Sequence, residues 1–536
     1  MEAHCSGSIS GTAPNVPTAE QRRRRRLGLV ACLTALWLLG PTPVIAQVGP
    51  FYADDDGPPM QPTLAGCWLP LPGGADRDSG LSSQHLQRME GRPYLLTPSI
   101  TLRQTYSDNI TLAPDNEESD FVTQLIPALT FCRIGPRLRA QFDYQGQILG
   151  YWDDSDRNDI FHRANADTTT TVIRDRLFLD AGASFDQQPI TSRGAFADDN
   201  ALVTGNRTDA LNLRVSPYLV QDLGRIGTSV TRYRFNRTTY DEGRPDDTRH
   251  AGSFVVTSPV AAEPFSWRGS VSSERIERER RGFDDIRYFD DAHLDLGYLL
   301  TGRLTLLGRA GVETETLRDG SQDRFGSSYW NAGFRWDGDR TSIEARYGRR
   351  FFGDTYLAAI TRRTANLTLR LNYEETQTIS DHFTRRDDLF LVATDPETGG
   401  VELIPFVDVI NEVIVRKRAT ASATYATGRS TIRLAAFNER REFVVTDGND
   451  NRRGVNAFWR WQWLPRTALI PRVSWERNEF RDGRNDDIYG GIISVAHLLS
   501  PTMQAGASVR HQQRGSNARG VEYTENAVIL ELTRVF

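Results

Sequence analysis

The sequence is most unusual in what it has little of. It contains one lysine, Lys417, against 63 arginines, and only four cysteines and eight histidines in 536 residues. No two histidines or cysteines have the spacing of a zinc site, and a net charge of -5 gives no preference for nucleic acid. After the first fifty residues, no apolar run approaches the roughly 20 residues that a membrane-spanning helix needs. The composition therefore argues against a zinc protein, a nucleic-acid-binding protein and a helical membrane protein.

The arginine bias has two interpretations. Arginine codons are favoured in GC-rich genomes, and arginine is also the side chain that grips anionic sugars or phosphates in a bidentate manner. The bias alone does not decide between them.

The first 46 residues are predicted to be a secretory signal peptide. Arg22 to Arg26 form a charged region, Leu27 to Leu39 form an apolar region, and Val44 and Ala46 occupy the -3 and -1 positions of a cleavage site. A lipoprotein signal at Cys32 is the minor alternative. Cleavage after Ala46 leaves 59 basic and 67 acidic residues, which is a net charge of -8.

Residues 47–93 are predicted to form an irregular periplasmic extension, because stretches such as "DDDGPPMQPTLAG" are rich in Pro, Gly and Asp and have no strong period. Cys67 and Cys132 remain after cleavage, and in an oxidising periplasm we expect them to form one disulfide. A metal site is the minor alternative, since cysteines 65 residues apart match no zinc spacing.

From about Thr97 onward the hydrophobic period is two, which is typical of strands. In "RLRAQFDYQGQILGYW" the residues Leu138, Ala140, Phe142 and Tyr144 face one way, and a polar set faces the other. If the apolar side faces lipid, the polar side lines a lumen. The residues predicted to line it are Arg137, Arg139, Gln141, Asp143, Gln145, Gln147, Glu344, Arg346 and Arg460.

The connections between these strands alternate in length. Short turns such as "DGDR" at 337 alternate with longer charged stretches, namely "ERIERERRGFDDIRYFDD", "NERREFVVTDGNDNRR", "RNEFRDGRNDD" and the stretch from Ser380 to Asn411. Transmembrane β-barrels have short periplasmic turns and longer outer loops. We therefore predict an all-β fold for residues 94–536, a transmembrane antiparallel up-and-down β-barrel of about 22 strands, within a range of roughly 18 to 24.

The final segment "ENAVILELTRVF" alternates in the same way. Val528, Leu530, Leu532 and Phe536 fall on one side, as expected for the closing strand of a barrel. Its apolar row resembles the terminal signal by which outer-membrane proteins are recognised for assembly, although Arg534 departs from the usual pattern. A soluble β-sandwich or propeller is the competing fold, but neither explains the two loop lengths or the aromatic residues at the ends of the apolar rows.

Two stretches resemble a known family. "LTPSITLRQTYSDNITLAP" and "YGRRFFGDTY" are similar to a family of outer-membrane β-barrels that accompanies the PEP-CTERM/exosortase system and its exopolysaccharide loci in proteobacteria. The resemblance covers about Pro93 to Phe536 and implies a role in the export or surface assembly of a polysaccharide. The positions that carry it are Tyr106, Asp108, Asn109, Arg349, Arg350 and Gly353. Asp108 and Asn109 suit a turn at a strand end, and Gly353 suits a bend at the outer rim; contact with a ligand is the alternative.

No catalytic arrangement is recognisable. An outer-membrane hydrolase needs a nucleophile, a base and an orienting group at one rim. His382 and His162 are candidates by position alone, and neither has an evident serine partner. Adjacent acids in the expected loops are most simply solvated, with Ca²⁺ bridging of lipopolysaccharide as the alternative. We therefore expect no enzymatic activity, cofactor or bound metal.

The sequence thus predicts a protein of the outer membrane of a Gram-negative cell. We expect it to serve exopolysaccharide secretion or surface assembly as a polar conduit or docking partner, with a general or selective porin as the alternative. The expected partners are lipid and lipopolysaccharide, the assembly machinery through Phe536, and polysaccharide with its export proteins. Nucleic acid is not among them.

Overall fold

A computed structural model describes the chain within residues 94–191, 193–197, 199–241, 244–259, 264–280, 283–318, 322–379, 413–443 and 448–536. These residues all belong to one compact unit. The predicted signal peptide, the periplasmic extension and Ser380 to Asn411 lie outside the described residues.

The described residues form one antiparallel sheet of 22 strands in which each strand pairs with its neighbour in sequence. β1 also pairs with β22, so the sheet closes on itself and has no free edge. The predicted 22-stranded up-and-down barrel is confirmed. The strands are β1 Tyr94–Ser107, β2 Asp120–Ile134, β3 Leu138–Tyr151, β4 Asp159–Ile173, β5 Leu177–Pro189, β6 Arg207–Asp222, β7 Thr228–Tyr240, β8 Asp247–Thr257, β9 Phe265–Arg280, β10 Phe283–Thr301, β11 Leu304–Arg318, β12 Gln322–Asp337, β13 Thr341–Arg350, β14 Gly353–Arg363, β15 Leu367–Ile379, β16 Val413–Ala426, β17 Ser430–Phe443, β18 Asn449–Leu464, β19 Thr467–Glu479, β20 Asn485–Ser500, β21 Met503–Ser516 and β22 Tyr523–Val535.

Side chains alternate between an apolar outer face and a polar inner face. On β22 the outward Val528 and Leu530 are 47% and 54% exposed, whereas the inward Glu525 is fully buried. Since closure pairs every strand and leaves an apolar row facing outward, the outer face is suited to lipid. The expected location in the outer membrane is confirmed by this arrangement. Among the described helices, none has the length and apolarity required to cross a membrane.

Both ends of the strand series lie at one rim, which we take as periplasmic, since Ser99 on β1 pairs with Val535 on β22. Several connections at this rim are short, such as residues 302–303, 465–466 and 501–502. The outer connections after β1, β3 and β5 are longer. The predicted asymmetry therefore holds at these positions.

Three of the charged stretches expected to be outer loops are instead mostly strand. "ERIERERRGFDDIRYFDD" belongs largely to β9 and β10, "NERREFVVTDGNDNRR" to β17 and β18, and "RNEFRDGRNDD" to β19 and β20. Charged side chains are compatible with these strands because they pair across them: Arg453 lies 3.2 Å from Glu479, and Lys417 lies 3.0 Å from Glu442. Alternating charge above the membrane therefore extends the wall rather than ending it.

The seam between β1 and β22 carries side-chain bonds along its length. The Thr101 and Thr533 hydroxyls lie 2.8 Å apart, and the Arg103 guanidinium lies 3.2 Å from the Glu531 carboxylate. At the periplasmic end, the Phe536 amide donates to the Pro98 carbonyl over 2.9 Å. We call this pairing the closing seam.

Candidate functional site

The residues predicted to line the lumen lie on the inner face of the barrel, except for Arg137, which precedes β3 in a turn. On β3 the inner face carries Arg139, Gln141, Asp143, Gln145 and Gln147. The Asp143 carboxylate accepts hydrogen bonds from Thr130 at 2.8 Å and Gln141 at 2.7 Å. These side chains therefore form a hydrogen-bonded polar wall.

Two other predicted positions form an ion-paired group. The Glu344 carboxylate lies 2.6 Å from both Arg335 on β12 and Arg346 on its own strand. Arg460 on β18 is also on the inner face and is 5% exposed.

A buried, densely charged part of the inner wall is not among the lumen-lining residues predicted from the sequence. Glu439 on β17 is 1% exposed and contacts three arginines: Arg416 at 2.9 Å, Arg418 at 3.0 Å and Arg441 at 2.6 Å. Glu439 and Arg441 lie in the stretch interpreted as a loop. The signal that could have identified them is the alternation of charge in "NERREF", which continues the period of β17.

The connection between β5 and β6, described over residues 190–191, 193–197 and 199–206, folds into the barrel; we call it the inward loop. Its Asp199 carboxylate lies 3.4 Å from the Arg103 guanidinium on β1 and accepts a hydrogen bond from Gln124 on β2 over 3.5 Å. The Asn200 amide donates to Gln147 on β3 over 2.5 Å. Since Arg103, Gln124 and Gln147 are all inner-face residues, the loop is anchored inside the wall.

An apolar cluster fixes the same loop. Ala201 and Leu202 are fully buried against Val122, Leu149 and Tyr151, which point inward from β2 and β3. The Tyr151 hydroxyl donates to the Ala201 carbonyl over 2.9 Å. Apolar residues on an inner wall are therefore explained here by packing against the loop.

The loop also contacts the β19–β20 connection and β21, which lie on the other side of β22, β1 and β2 from its own strands. The Arg193 guanidinium pairs with Asp482 in the β19–β20 connection, and the Arg193 carbonyl accepts a bond from Arg484 over 2.8 Å. Arg514 on β21 donates to the Gly194 carbonyl. The loop thus runs from β5 and β6 to the outer ends of β19 to β21, across the strands between them.

Two carboxylates at the loop contacts have lowered pKa values. Burial would raise the pKa of Asp199, but the positive charges of Arg103 and Arg510 and a hydrogen bond from the Ala201 amide lower it overall. The pKa of Asp482 is lowered chiefly by its hydrogen bond from Arg193. Both groups are therefore charged at neutral pH.

The positions of the family resemblance are structural in this fold. The Asp108 carboxylate accepts bonds from the Asn526 backbone amide at 2.7 Å and its side chain at 2.8 Å. Asn109 is fully buried and donates to the Thr524 carbonyl over 3.0 Å. Both residues join the outer end of β1 to β22 and so extend the closing seam.

The second motif forms the β13–β14 hairpin at the outer rim. Arg350 points inward and pairs with Glu313, whereas Arg349 and Tyr106 fall on the outer face. Gly353 has φ +119°, which L side chains rarely adopt. The hairpin therefore requires glycine at this position.

Charge is distributed unevenly around the inner wall. We divide the wall into a first arc, the inner faces of β7 to β19, and a second arc, those of β20 to β22 and β1 to β6. In the first arc the described inward-facing charges are 19 arginines and 12 acids, a net charge of +7: Arg232, Arg234, Arg249, Arg268, Arg278, Arg287, Arg309, Arg335, Arg346, Arg350, Arg363, Arg370, Arg416, Arg418, Arg433, Arg441, Arg452, Arg460 and Arg472, with Asp247, Glu274, Asp291, Asp295, Glu313, Glu315, Asp337, Glu344, Glu374, Glu439, Asp450 and Glu476.

The second arc has the opposite sign. Assigned to faces by the pairing register, its described inward-facing strand residues are six arginines and ten acids, a net charge of -4: Arg103, Arg139, Arg163, Arg214, Arg510 and Arg514, with Asp120, Asp143, Asp159, Asp167, Asp180, Asp186, Asp222, Asp486, Glu525 and Glu531. Arg207, the first residue of β6, also contacts the inward loop, because its guanidinium lies over the Phe161 ring and donates to the Asn200 side-chain oxygen over 3.1 Å. The inward loop packs on this second arc.

The other candidate residues from the sequence are two cysteines and two histidines, of which Cys132 and His162 are described. Cys132 is buried on the inner face of β2 and is disulfide-bonded, while Cys67 lies outside the described residues. The His162 ring points outward and contacts the Tyr144 hydroxyl at 2.9 Å, and His382 is not among the described residues. The described part of the chain contains no group of three or more His, Cys, Asp or Glu side chains that could hold a metal ion.

No protein-family model and no curated protein sequence matches this chain. Its backbone is similar to the FrpB iron transporter from Neisseria meningitidis, with a TM-score of 0.52 and 10% identity for the F3-3 variant over 82% of this chain and 81% of that chain. The apoprotein of the F5-1 variant has a TM-score of 0.51 and 10% identity, with the same coverage. The siderophore receptor PirA from Pseudomonas aeruginosa is also similar, with a TM-score of 0.45 and 11% identity over 82% of this chain and 80% of that chain.

The similarity to FrpB supports the fold alone, because one fold carries many functions. The protein is therefore an outer-membrane β-barrel, and the resemblance to the exosortase-associated family stays a prediction.

Proposed function

We propose that the protein is a polar conduit for saccharide cargo in the outer membrane, serving exopolysaccharide secretion or surface assembly, and that it performs no chemistry itself. The observation that carries this proposal is the inner wall, which is polar on strand after strand and is narrowed by a loop held inside it. Arginine, glutamine and tyrosine side chains supply the donors and acceptors that sugar hydroxyls need. The motif resemblance supplies the exopolysaccharide context.

The inward loop favours a selective conduit over a general diffusion porin. A 22-stranded barrel is wide enough that transporters of this size carry a plugged lumen. Here Asp199 and Leu202 hold the loop by both charge and burial. Iron transport, the activity named for FrpB, reaches this chain only through fold similarity, which does not determine the cargo.

Single-channel recording of the mature protein in planar lipid bilayers tests the proposal. We expect a conductance that neutral dextran oligosaccharides reduce reversibly as they enter the lumen. A wide ohmic conductance unaffected by dextran identifies a general porin and overturns the proposal. As a cellular test, deletion of the gene should remove polysaccharide from the cell surface, and normal surface polysaccharide in the deletion strain contradicts the proposed role.

A further inference from the structure

We propose that the conduit selects anions, and that its cargo is an acidic saccharide carrying carboxylate, phosphate or sulfate groups, guided along the first arc of the inner wall. This inference rests on the proposed function and specifies its class of substrate.

The first observation is the sign of the wall. The described inner face of the first arc has a net charge of +7, although the mature chain as a whole is at -8. Charges that line a channel with low-dielectric walls focus the field into the water they surround, and this raises the local concentration of the opposite ion. The excess of positive charge therefore acts on the lumen rather than on the outer surface.

The second observation is the position of the inward loop. It is anchored to Arg103, Gln124 and Gln147, which all belong to the second arc. The loop therefore covers part of the second arc, which is the acidic side of the wall. Within the described residues, cargo that passes beside the loop meets the first arc.

The third observation is the presentation of particular arginines. Arg370 on β15 points inward and is exposed. Arg433 and Arg472 lie on either side of Phe458 in the sheet, with their guanidinium carbons 5.6 Å and 5.4 Å from its ring centre. The ring orients these two side chains, so their planar donors are preorganised for an oxyanion.

The experiment is the reversal potential of the intact mature protein in a bilayer under a KCl gradient. We expect chloride to be more permeant than potassium, by a factor of about 3 or more. The triple variant R370E/R433E/R472E lowers the net charge of the first arc from seven positive to one positive, and the permeability ratio should fall toward unity. The single variant Arg370→Gln, which removes one charge and keeps a polar side chain, should produce a smaller fall if the triple variant does not fold.

Arg362→Glu is the matched control. Arg362 lies on β14 beside Thr361, the cross-strand partner of Arg370, but it faces outward. The substitution changes the charge of the chain by two units, as each of the three substitutions in the triple variant does, and we expect the selectivity to stay as in the wild type.

A second bilayer experiment compares how strongly the channel is blocked by alginate oligosaccharides, which are polyanionic, and by neutral dextran oligosaccharides of the same length. We expect alginate to block at least about tenfold lower concentration, and the triple variant to lose this preference. A conducting channel that dextran blocks but that is non-selective or selects cations overturns the anionic cargo and leaves the conduit standing. Failure of saccharides to block at all contradicts the proposed function itself.

Discussion

At the scale of single residues, Asp199 attaches the inward loop to two strands of the wall. Its carboxylate contacts Arg103 and Gln124 from β1 and β2 and also accepts a bond from the Ala201 amide at 3.1 Å. Because the group is buried, removing it leaves Arg103 with its pair to Glu531 but takes away the acceptor that Arg103 and Gln124 share, which typically costs about 1–3 kcal/mol.

We therefore predict that Asp199→Ala releases the loop without unfolding the barrel. The mean single-channel conductance should rise, and trypsin added to intact cells should cleave at Arg193. Asp482→Ala is the control, since that carboxylate is half-exposed and its pair with Arg193 is worth about 1 kcal/mol or less. Equal effects of the two variants, or no change in conductance for Asp199→Ala, contradict the anchoring role.

Acid should reproduce the effect of the substitution. The pKa of Asp199 in the folded protein lies below its ordinary value of 3.8, so its contribution is fully present above that pH. The contribution of Asp199 to holding the loop is lost only as the pH falls through its lowered pKa in the folded protein. Conductance should therefore be constant from neutral pH down to about pH 4 and rise below it, whereas the Asp199→Ala variant should show no such rise.

At the scale of elements, the closing seam depends on a charged residue that is fully buried. Glu525 on β22 pairs with Arg510 on β21 over 2.8 Å and accepts a hydrogen bond from Ser107 on β1 over 2.8 Å. One side chain thus joins three adjacent strands where the barrel closes.

Glu525→Gln should destabilise the folded barrel by about 1–3 kcal/mol, because it removes the negative charge that accepts two hydrogen bonds from the buried Arg510. Glu479→Gln is the comparison on the outer face, where an exposed pair with Arg453 is worth about 0–1 kcal/mol. Urea titration of the folded fraction in detergent measures both. Similar midpoints for the two variants would show that the seam is not held in this way.

Strand number and facing could be predicted from the sequence because both follow from a period of two and from one apolar face. The ends of β9, β10 and β17 to β20 could not be predicted. Charged residues above the membrane have the composition of a loop, and only their cross-strand partners show that they form strands. The inward position of the β5–β6 loop could not be predicted either. Arg103 and Asp199 are 96 residues apart, and nothing local in "ITSRGAFADDNALVTGN" indicates which wall it meets.

At the scale of the whole molecule, the division of charge between the two arcs is a property of closure. Arg232 and Arg472 belong to the same arc although 240 positions separate them. Composition gives only the sum over the chain, which is negative, and the sign of each side emerges when the register assigns every residue to a face.

Closure also makes the two faces respond differently to the same charge. Val509→Lys places a lysine on the lipid side of β21, where Val509 is 59% exposed, and should cost about 2–4 kcal/mol near the bilayer midplane. Ser508→Lys, one residue away on the inner face, should cost much less because water can reach it. Urea titration in lipid vesicles compares them, and equal costs would mean that Val509 does not face lipid.

The closing seam joins partners as far apart as Thr101 and Thr533, which are 432 positions apart. An incomplete chain lacks the strand that pairs with β1, so every intermediate during synthesis has two unpaired edges that invite aggregation. Closure of the barrel therefore cannot precede synthesis of β22, and the edge of β1 must be protected from other strands until β22 reaches it.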